Sequence, residues 1–185
     1  MPLFKGNLHA HTTFSDGRRP IDEVIARYRE LDYDFLAITD HEDRIFDDYW
    51  FNIPAGDDRM LILPGIELNY EPLSQHVGKV TGDRETLYRI RVIRDAGLPI
   101  EAIEITDTGV YRPEYDVEAL ALPKIATDDS HRDPDFGRAW IEVEAATKTA
   151  DAILRAVKAG DFRLGFATTK RARDGRSFLG YGFRR

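Results

Sequence analysis

The stretch "NLHAHTTFSDG", Asn7 to Gly17, sets two histidines one residue apart directly after the short apolar run beginning at Leu3. The chain has only five histidines in 185 residues, so two of them in so short a span require a reason. Residues i and i+2 of an extended chain point to the same side, so His9 and His11 can face one point together. The same spacing recurs in "ATDDSH", where it pairs Asp129 with His131. Asp16, before Gly17, closes the first stretch and adds a carboxylate, although Asp-Gly is also an ordinary turn dipeptide.

Working outward, short apolar runs alternate with segments of helical period. "DFLAIT", "MLILPGIEL", "IEAIEIT", "LPKIAT" and "AWIEV" read as strands. "PIDEVIARYREL" reads as a helix with Pro20 at its start and Ile21, Val24, Ile25, Tyr28 and Leu31 on one face. "TKTADAILRAVKAGDF" reads as a second helix, capped by Thr149 and stopped by Gly160. "ETLYRIRVIRDAG" has helical spacing from Leu87 and a plausible cap at Gly97. This alternation predicts a mainly parallel sheet covered by helices, either open or closed into a barrel, with ligands at the carboxyl ends of the strands.

The histidines obey that rule. His9 and His11 follow the first strand, His41 follows "DFLAIT", Glu67 closes "MLILPGIE", and Asp129 and His131 follow "LPKIAT". His76 begins a further short apolar stretch in "SQHVGKV". Imidazole with carboxylate and without thiolate suits zinc, manganese or iron. The set His9, His11, Asp16, His41, Glu67, His76, Asp129 and His131 is too large for one ion, which implies two or three divalent ions with a bridging carboxylate.

Composition narrows the rest. Apolar residues are 42% and charged residues 32%, as in a globular domain, and the formal net charge is −7. The stretch Ala167–Arg185 contributes +5 to that total, so the remainder carries −12. An acidic body argues against a strong grip on nucleic acid. The absence of cysteine excludes disulfides, thiolate metal sites and cysteine nucleophiles. No apolar run reaches the length of a membrane span and no signal-peptide pattern opens the chain, so the cytoplasm is the expected location.

At these motifs the sequence resembles the PHP family, named for polymerase and histidinol phosphatase. "NLHAHTTFSDG" is similar to its first motif, "AITDHE" to the second, "LPGIELNYE" to the third, and "ATDDSH" to the late aspartate-any-histidine motif. "FGRAWIEVEA" and "DAILRAVKAGDF" resemble the closing strand and helix. The resemblance implies a distorted (β/α)7 barrel over residues 1–166, with 167–185 as a basic C-terminal tail that is part of the same domain or flexible. It implies one ion on His9, His11, Glu67 and Asp129, a second on Glu67 and His76, and a third on Asp16, His41 and His131. The family's Ala-His-Pro histidine has no counterpart, since no histidine lies between Val77 and Ser130. "ETLYRI" reads as fused directly to "RVIRDAG", as though about one strand-and-loop unit of roughly 20 residues were missing. The second ion is then one ligand short, with water, Glu71, Asp107 or a neighbouring carboxylate to fill the corner, and a two-metal site is an alternative.

The expected activity is phosphoester hydrolysis of a small metabolite or nucleotide by a metal-bridging hydroxide, with His9, His11, Glu67, Asp129 and His131 at the reacting centre. Arg18, Arg132 and Arg138 are the first candidates to bind phosphate. Tyr49, Trp50 and Phe51 read as a local packing cluster, with stacking on a base or covering the site as the alternative. Two competing functions are a metal-binding protein with little catalysis, owing to the missing motif, and a nuclease or proofreading module. The sequence does not give the oligomeric state.

Overall fold

The computed structural model describes residues 1–68, 97, 100–113, 115–116, 118, 121–171 and 177–184. Its largest sheet has strands β1 (Leu3–Asn7), β2 (Phe35–Ile38), β3 (Leu61–Pro64), β8 (Ala139–Glu144), β9 (Phe162–Arg171) and β10 (Ser177–Arg184). Their order is β10-β9-β8-β1-β2-β3. Two smaller pairs complete the described strands. β4 (Ile103–Glu104) runs parallel to β7 (Lys124–Ile125), and β5 (Thr106–Asp107) forms a hairpin with β6 (Val110–Tyr111). Thr108 and Gly109 turn that hairpin with φ of 46° and 74°, the left-handed pair that matches the twist of two-residue hairpins.

The fold is mixed α/β, and no closed barrel is traced among the described strands. The expected parallel pairing holds for β1–β2–β3 and β4–β7. It fails on the other flank, where β8 runs antiparallel to β1 and β9 antiparallel to β8. A parallel neighbour needs a crossover, usually a helix. The segment from Ala126 to Arg138 contains no helix, so the chain turns back and enters β8 in the opposite sense. The basic stretch 167–185 contains the second half of β9 and all of β10, which form the sheet's edge.

Helix α1 (Ile21–Glu30) begins one residue after Pro20, which is its extended N-cap rather than part of the first turn, and α3 (Ala150–Ala159) is capped by the Thr149 hydroxyl, which accepts from Ala152 N. Gly160 ends α3 in the left-handed conformation, φ 80°. Between them lies the short α2 (Tyr49–Asn52). The segment predicted as a helix from Leu87 lies outside the described residues, apart from Gly97.

Two apolar layers explain why β2 reads as an unbroken apolar run. Leu36 and Ile38 pack with Val24, Ile25 and Tyr28 of α1. Their neighbours Phe35 and Ala37 face the other way, onto Ile153, Ala156 and Val157 of α3. A strand covered on both faces has no polar side to alternate with.

Backbone pairing continues past the formal strand ends. Thr39 N donates to Ala10 O at 2.9 Å and His11 N to Ser130 O at 3.0 Å, so the His9–His11 segment is clamped between its neighbours. Beyond β2 and β3, His41 and Glu67 form a parallel bridge. Glu67 N donates to Asp40 O at 3.1 Å and Glu42 N to Glu67 O at 3.0 Å. These rungs deliver the polar residues to one end of the parallel strands. No described helix is long and apolar enough to cross a membrane.

Candidate metal centre

Two groups of metal-donor side chains meet at that end. The first is His9, His11 and Asp129; the second is His11, Asp16, His41 and His131. In the first, His9 Nε2 and His11 Nε2 are 3.0 Å apart, and Asp129 Oδ1 stands 3.6 and 3.3 Å from them. Ligands bound at 2.0–2.2 Å to one tetrahedral ion stand about 3.4 Å from each other. The spacing therefore suits a single cation between these atoms.

His11 belongs to both groups through different nitrogens. Its Nε2 faces the first group, while Nδ1 lies 3.4 Å from Ser15 Oγ and 3.5 Å from Asp16 Oδ1. In the second group, Asp16 lies 3.4 Å from His41 Nε2 and 3.3 Å from His131 Nε2. The His131 ring is oriented by Nδ1, which donates to Asp129 O at 3.0 Å. Glu67 stands between the groups. Its Oε2 is 3.3, 3.1 and 3.2 Å from His9 Nε2, His11 Nε2 and His41 Nδ1, respectively. That last nitrogen is buried and has no hydrogen bond among the described residues.

Electrostatics favour a cation here. Burial would keep Glu67 and Asp129 protonated, but the surrounding imidazoles hold both carboxyls below their usual range. Burial likewise opposes charge on His9 and His11. Glu104 and Glu67 nevertheless push His9 well above its usual value, and Asp129 with Glu67 raise His11. His41 moves the other way, lowered by burial and by the charges of His11 and Arg44. The rings of His11 and His131 are stacked at 4.1 Å, and those of His11 and His41 lie 4.7 Å apart. Crowded imidazoles beside ionised carboxylates cannot all carry protons without mutual repulsion, and divalent ions on neutral rings satisfy the same acids without it. The residues present fit a metal.

Asp129 sits at φ 44°, a left-handed conformation held at the centre of the cluster. Asp40, next to His41 in the sequence, acts on the loop after His11. Fully buried, it accepts from Thr12 N at 2.8 Å, Thr12 Oγ1 at 2.8 Å and Ser15 Oγ at 2.6 Å, fixing the turn that carries Asp16. Gly17 completes the turn. A Cβ there would stand 2.6 Å from the His11 carbonyl.

Of the predicted ligands, the structure brings together His9, His11, Asp16, His41, Glu67, Asp129 and His131. His76 and Glu71 lie outside the described residues. Asp107 is hydrogen-bonded to Arg112 and belongs to neither group. Among the arginines, Arg18 has an exposed side chain and donates its backbone N–H to His131 O at 2.8 Å. Arg132 and Arg138 both pair with buried Asp135, at 3.6 and 3.2 Å. Two residues at the site were not anticipated. Arg44 places Nη1 3.0 Å from Asp16 Oδ2, and Glu104 places Oε2 2.9 Å from His9 Nδ1. Glu104 lies inside the run "IEAIEIT", before Ile105 and Thr106, and carries no strand-end signal; Arg44 has only its place three residues after His41. Tyr49 is buried against Phe14 and Trp50, whereas Phe51 is 90% exposed, so the expected packing cluster excludes Phe51.

The fold and the donor set define a class, proteins that gather a histidine and carboxylate cluster at the carboxyl ends of parallel strands. The PHP domain model matches residues 7–164, and the chain belongs to that family. Among solved structures it is similar to a two-domain protein from Bacteroides vulgatus ATCC 8482 containing a predicted PHP-like metal-dependent phosphoesterase. The TM-score is 0.60 at 17% identity over 88% of this chain, which speaks for a shared fold. The chain covers 64% of that protein's length. A search of curated proteins finds no match.

Proposed function

We propose that the chain is a metal-dependent phosphoesterase acting on a small phosphorylated metabolite or nucleotide. The observation that carries this reading is the position of Glu67, whose single oxygen Oε2 reaches ring nitrogens of His9, His11 and His41. A carboxylate so placed can be shared by two cations. His9, His11, Glu67 and Asp129 would hold one ion, and Asp16, His41 and His131 another. His76 with Glu67 would make a third position, and zinc, manganese or iron suits all of these donors. The family's distorted (β/α)7 barrel is the architecture we infer around this cluster, and the cytoplasm is the inferred location.

Divalent ions, when bound, neutralise phosphate oxygens and bring the pKa of water toward ~7, which supplies a nucleophile at neutral pH. The chain's own residues supply the rest. His9, His11 and His131 are fixed by hydrogen bonds of the opposite ring nitrogen or by burial, so their free nitrogens converge on the reacting centre. Asp16 and Glu67, each beside a ring nitrogen of His41, would add carboxylate donors to it. Arg44, with Nη1 already beside Asp16, is placed to grip a phosphate oxygen, and Arg18 on the adjoining loop is a second cation. Arg132 and Arg138 would have to leave Asp135 to do so.

The reading is tested by hydrolysis of an aryl phosphate monoester and diester. Chelation should abolish turnover, and zinc or manganese should restore it. Activity that survives complete metal removal would overturn the proposal.

A further inference from the structure

Glu104 ends β4, and its carboxylate is used at both oxygens. Oε2 meets His9 Nδ1 at 2.9 Å. Oε1 accepts from the Thr127 hydroxyl and lies 3.3 Å from the Thr106 hydroxyl. Thr127 is itself fixed, because its backbone N–H donates to Thr106 Oγ1 at 2.9 Å. The parallel pairing of β4 with β7 sets Glu104 opposite Ile125, two residues before Thr127 and four before Asp129. One carboxylate thus links the segment after β1, which carries His9, to the segment after β7, which carries Thr127 and Asp129.

The chemistry of imidazole gives this contact a consequence. A neutral ring has one N–H and one lone pair, and the partner of the N–H decides which nitrogen is which. A carboxylate on Nδ1 keeps the proton there and leaves the lone pair on Nε2, the nitrogen that faces His11 and Asp129. Glu104 belongs to neither donor group; its near oxygen meets Nδ1, whereas His11 and Asp129 face Nε2.

We propose that Glu104 is a positioning residue of the metal centre, holding His9 through Nδ1 so that Nε2 is presented to the ion. The assignment rests on the metal-centre reading above. Outer partners of metal-bound histidines typically contribute 10–100-fold to metal affinity, by fixing the ring and raising its basicity. Glu104→Ala removes the acceptor. Glu104→Gln keeps an oxygen that can accept from Nδ1–H but removes the charge, and it preserves the side-chain volume.

The experiment is zinc affinity by competition with a chromophoric chelator, for wild type, Glu104→Gln, Glu104→Ala and His9→Ala, with the fold of each metal-free variant checked by circular dichroism. We expect Glu104→Ala to weaken zinc binding by roughly 10–100-fold and Glu104→Gln to fall between it and wild type. A second readout is the exchange of the His9 Nδ1 proton in zinc-loaded, 15N-histidine-labelled protein. It should be slow in wild type and in Glu104→Gln, and fast in Glu104→Ala. Should Glu104→Ala not fold, the Gln variant carries the test through its affinity. Zinc binding lost in His9→Ala but undiminished in both Glu104 variants would overturn the assignment alone. A wild-type protein that takes up no zinc would overturn the metal-centre reading and the assignment with it.

Discussion

Asp40 offers the sharpest test of how the fold sustains the site, because it touches no histidine. Its carboxylate is fully buried and accepts from Thr12 N, Thr12 Oγ1 and Ser15 Oγ. Asp40→Ala leaves those three donors without an acceptor. Thr12 is completely buried, so water cannot replace the loss there, whereas Ser15 is half-buried and can turn to solvent. Two buried unsatisfied donors cost about 2–6 kcal/mol, and release of a buried carboxylate offsets part of that, leaving about 2–4 kcal/mol. For a chain of this size the loss corresponds to a Tm lower by roughly 5–15 °C. The metal-free protein is the right sample, with thermal and urea unfolding as the assay. The functional consequence is selective. The turn from Thr12 to Gly17 carries Asp16 to His41 and His131, whereas His9 and Asp129 are held by other strands. Zinc stoichiometry should therefore fall by about one ion, the one that Asp16, His41 and His131 would hold, while the one on His9, His11, Glu67 and Asp129 remains. Asp40→Asn, which keeps one acceptor oxygen, should lose about half as much stability. An Ala variant as stable as wild type, or one that is destabilised yet retains full zinc content, would refute the reasoning.

Other outcomes follow from the same geometry. Gly17→Ala should displace the His11 backbone, costing about 1–3 kcal/mol and weakening zinc binding measured by chelator competition. Phe35→Ala, at the centre of the layer against α3, should cost about 3–5 kcal/mol in urea unfolding without altering zinc stoichiometry. In the metal-free protein, the joint contribution of His9, His11, Glu67 and Asp129 to stability should be greatest between about pH 4.5 and 6.5. His9 and His11 are raised, so their contribution is complete below the unfolded histidine value and is lost as pH climbs through their folded values. Glu67 and Asp129 are lowered, so theirs is present above the unfolded carboxyl value and is lost as pH falls. Zinc should reverse the alkaline slope, because the ion needs deprotonated rings and its stabilisation grows with pH. Tm against pH, with and without zinc, checks both signs.

Much of the fold was legible because its signals are local. The Thr149 cap, the left-handed stop at Gly160 and the apolar face of α1 depend on residues within one or two turns. The strand-end rule located His9, His11, His41, Glu67, Asp129 and His131 because period-two spacing and apolar flanks mark a strand's exit. The direction of β8 was not legible. It follows from the lack of a crossover helix in the segment Ala126–Arg138, a stretch whose turn residues specify no strand sense. Glu104 escaped for a different reason. Its partner His9 is 95 residues away, and nothing near "IEAIEI" reveals which side of the sheet its acid faces.

Spacing in the sequence only makes convergence possible, and the ladder beyond the strands makes it happen. His9 and His11 would share a direction on any extended segment. They point at Asp129 because His11 N bonds Ser130 O, which sets the two segments side by side at the residues that carry donors. His41 meets Glu67 for the same reason, through a bridge formed after β2 and β3 have formally ended. Each rung fixes a donor with main-chain groups that no side-chain substitution removes. The cluster should therefore keep its backbone geometry when a ligand is changed and lose it when a turn is changed. That asymmetry explains why Asp40 and Gly17, which touch no ion in any reading of the site, are the positions at which we expect structure and metal binding to fail together.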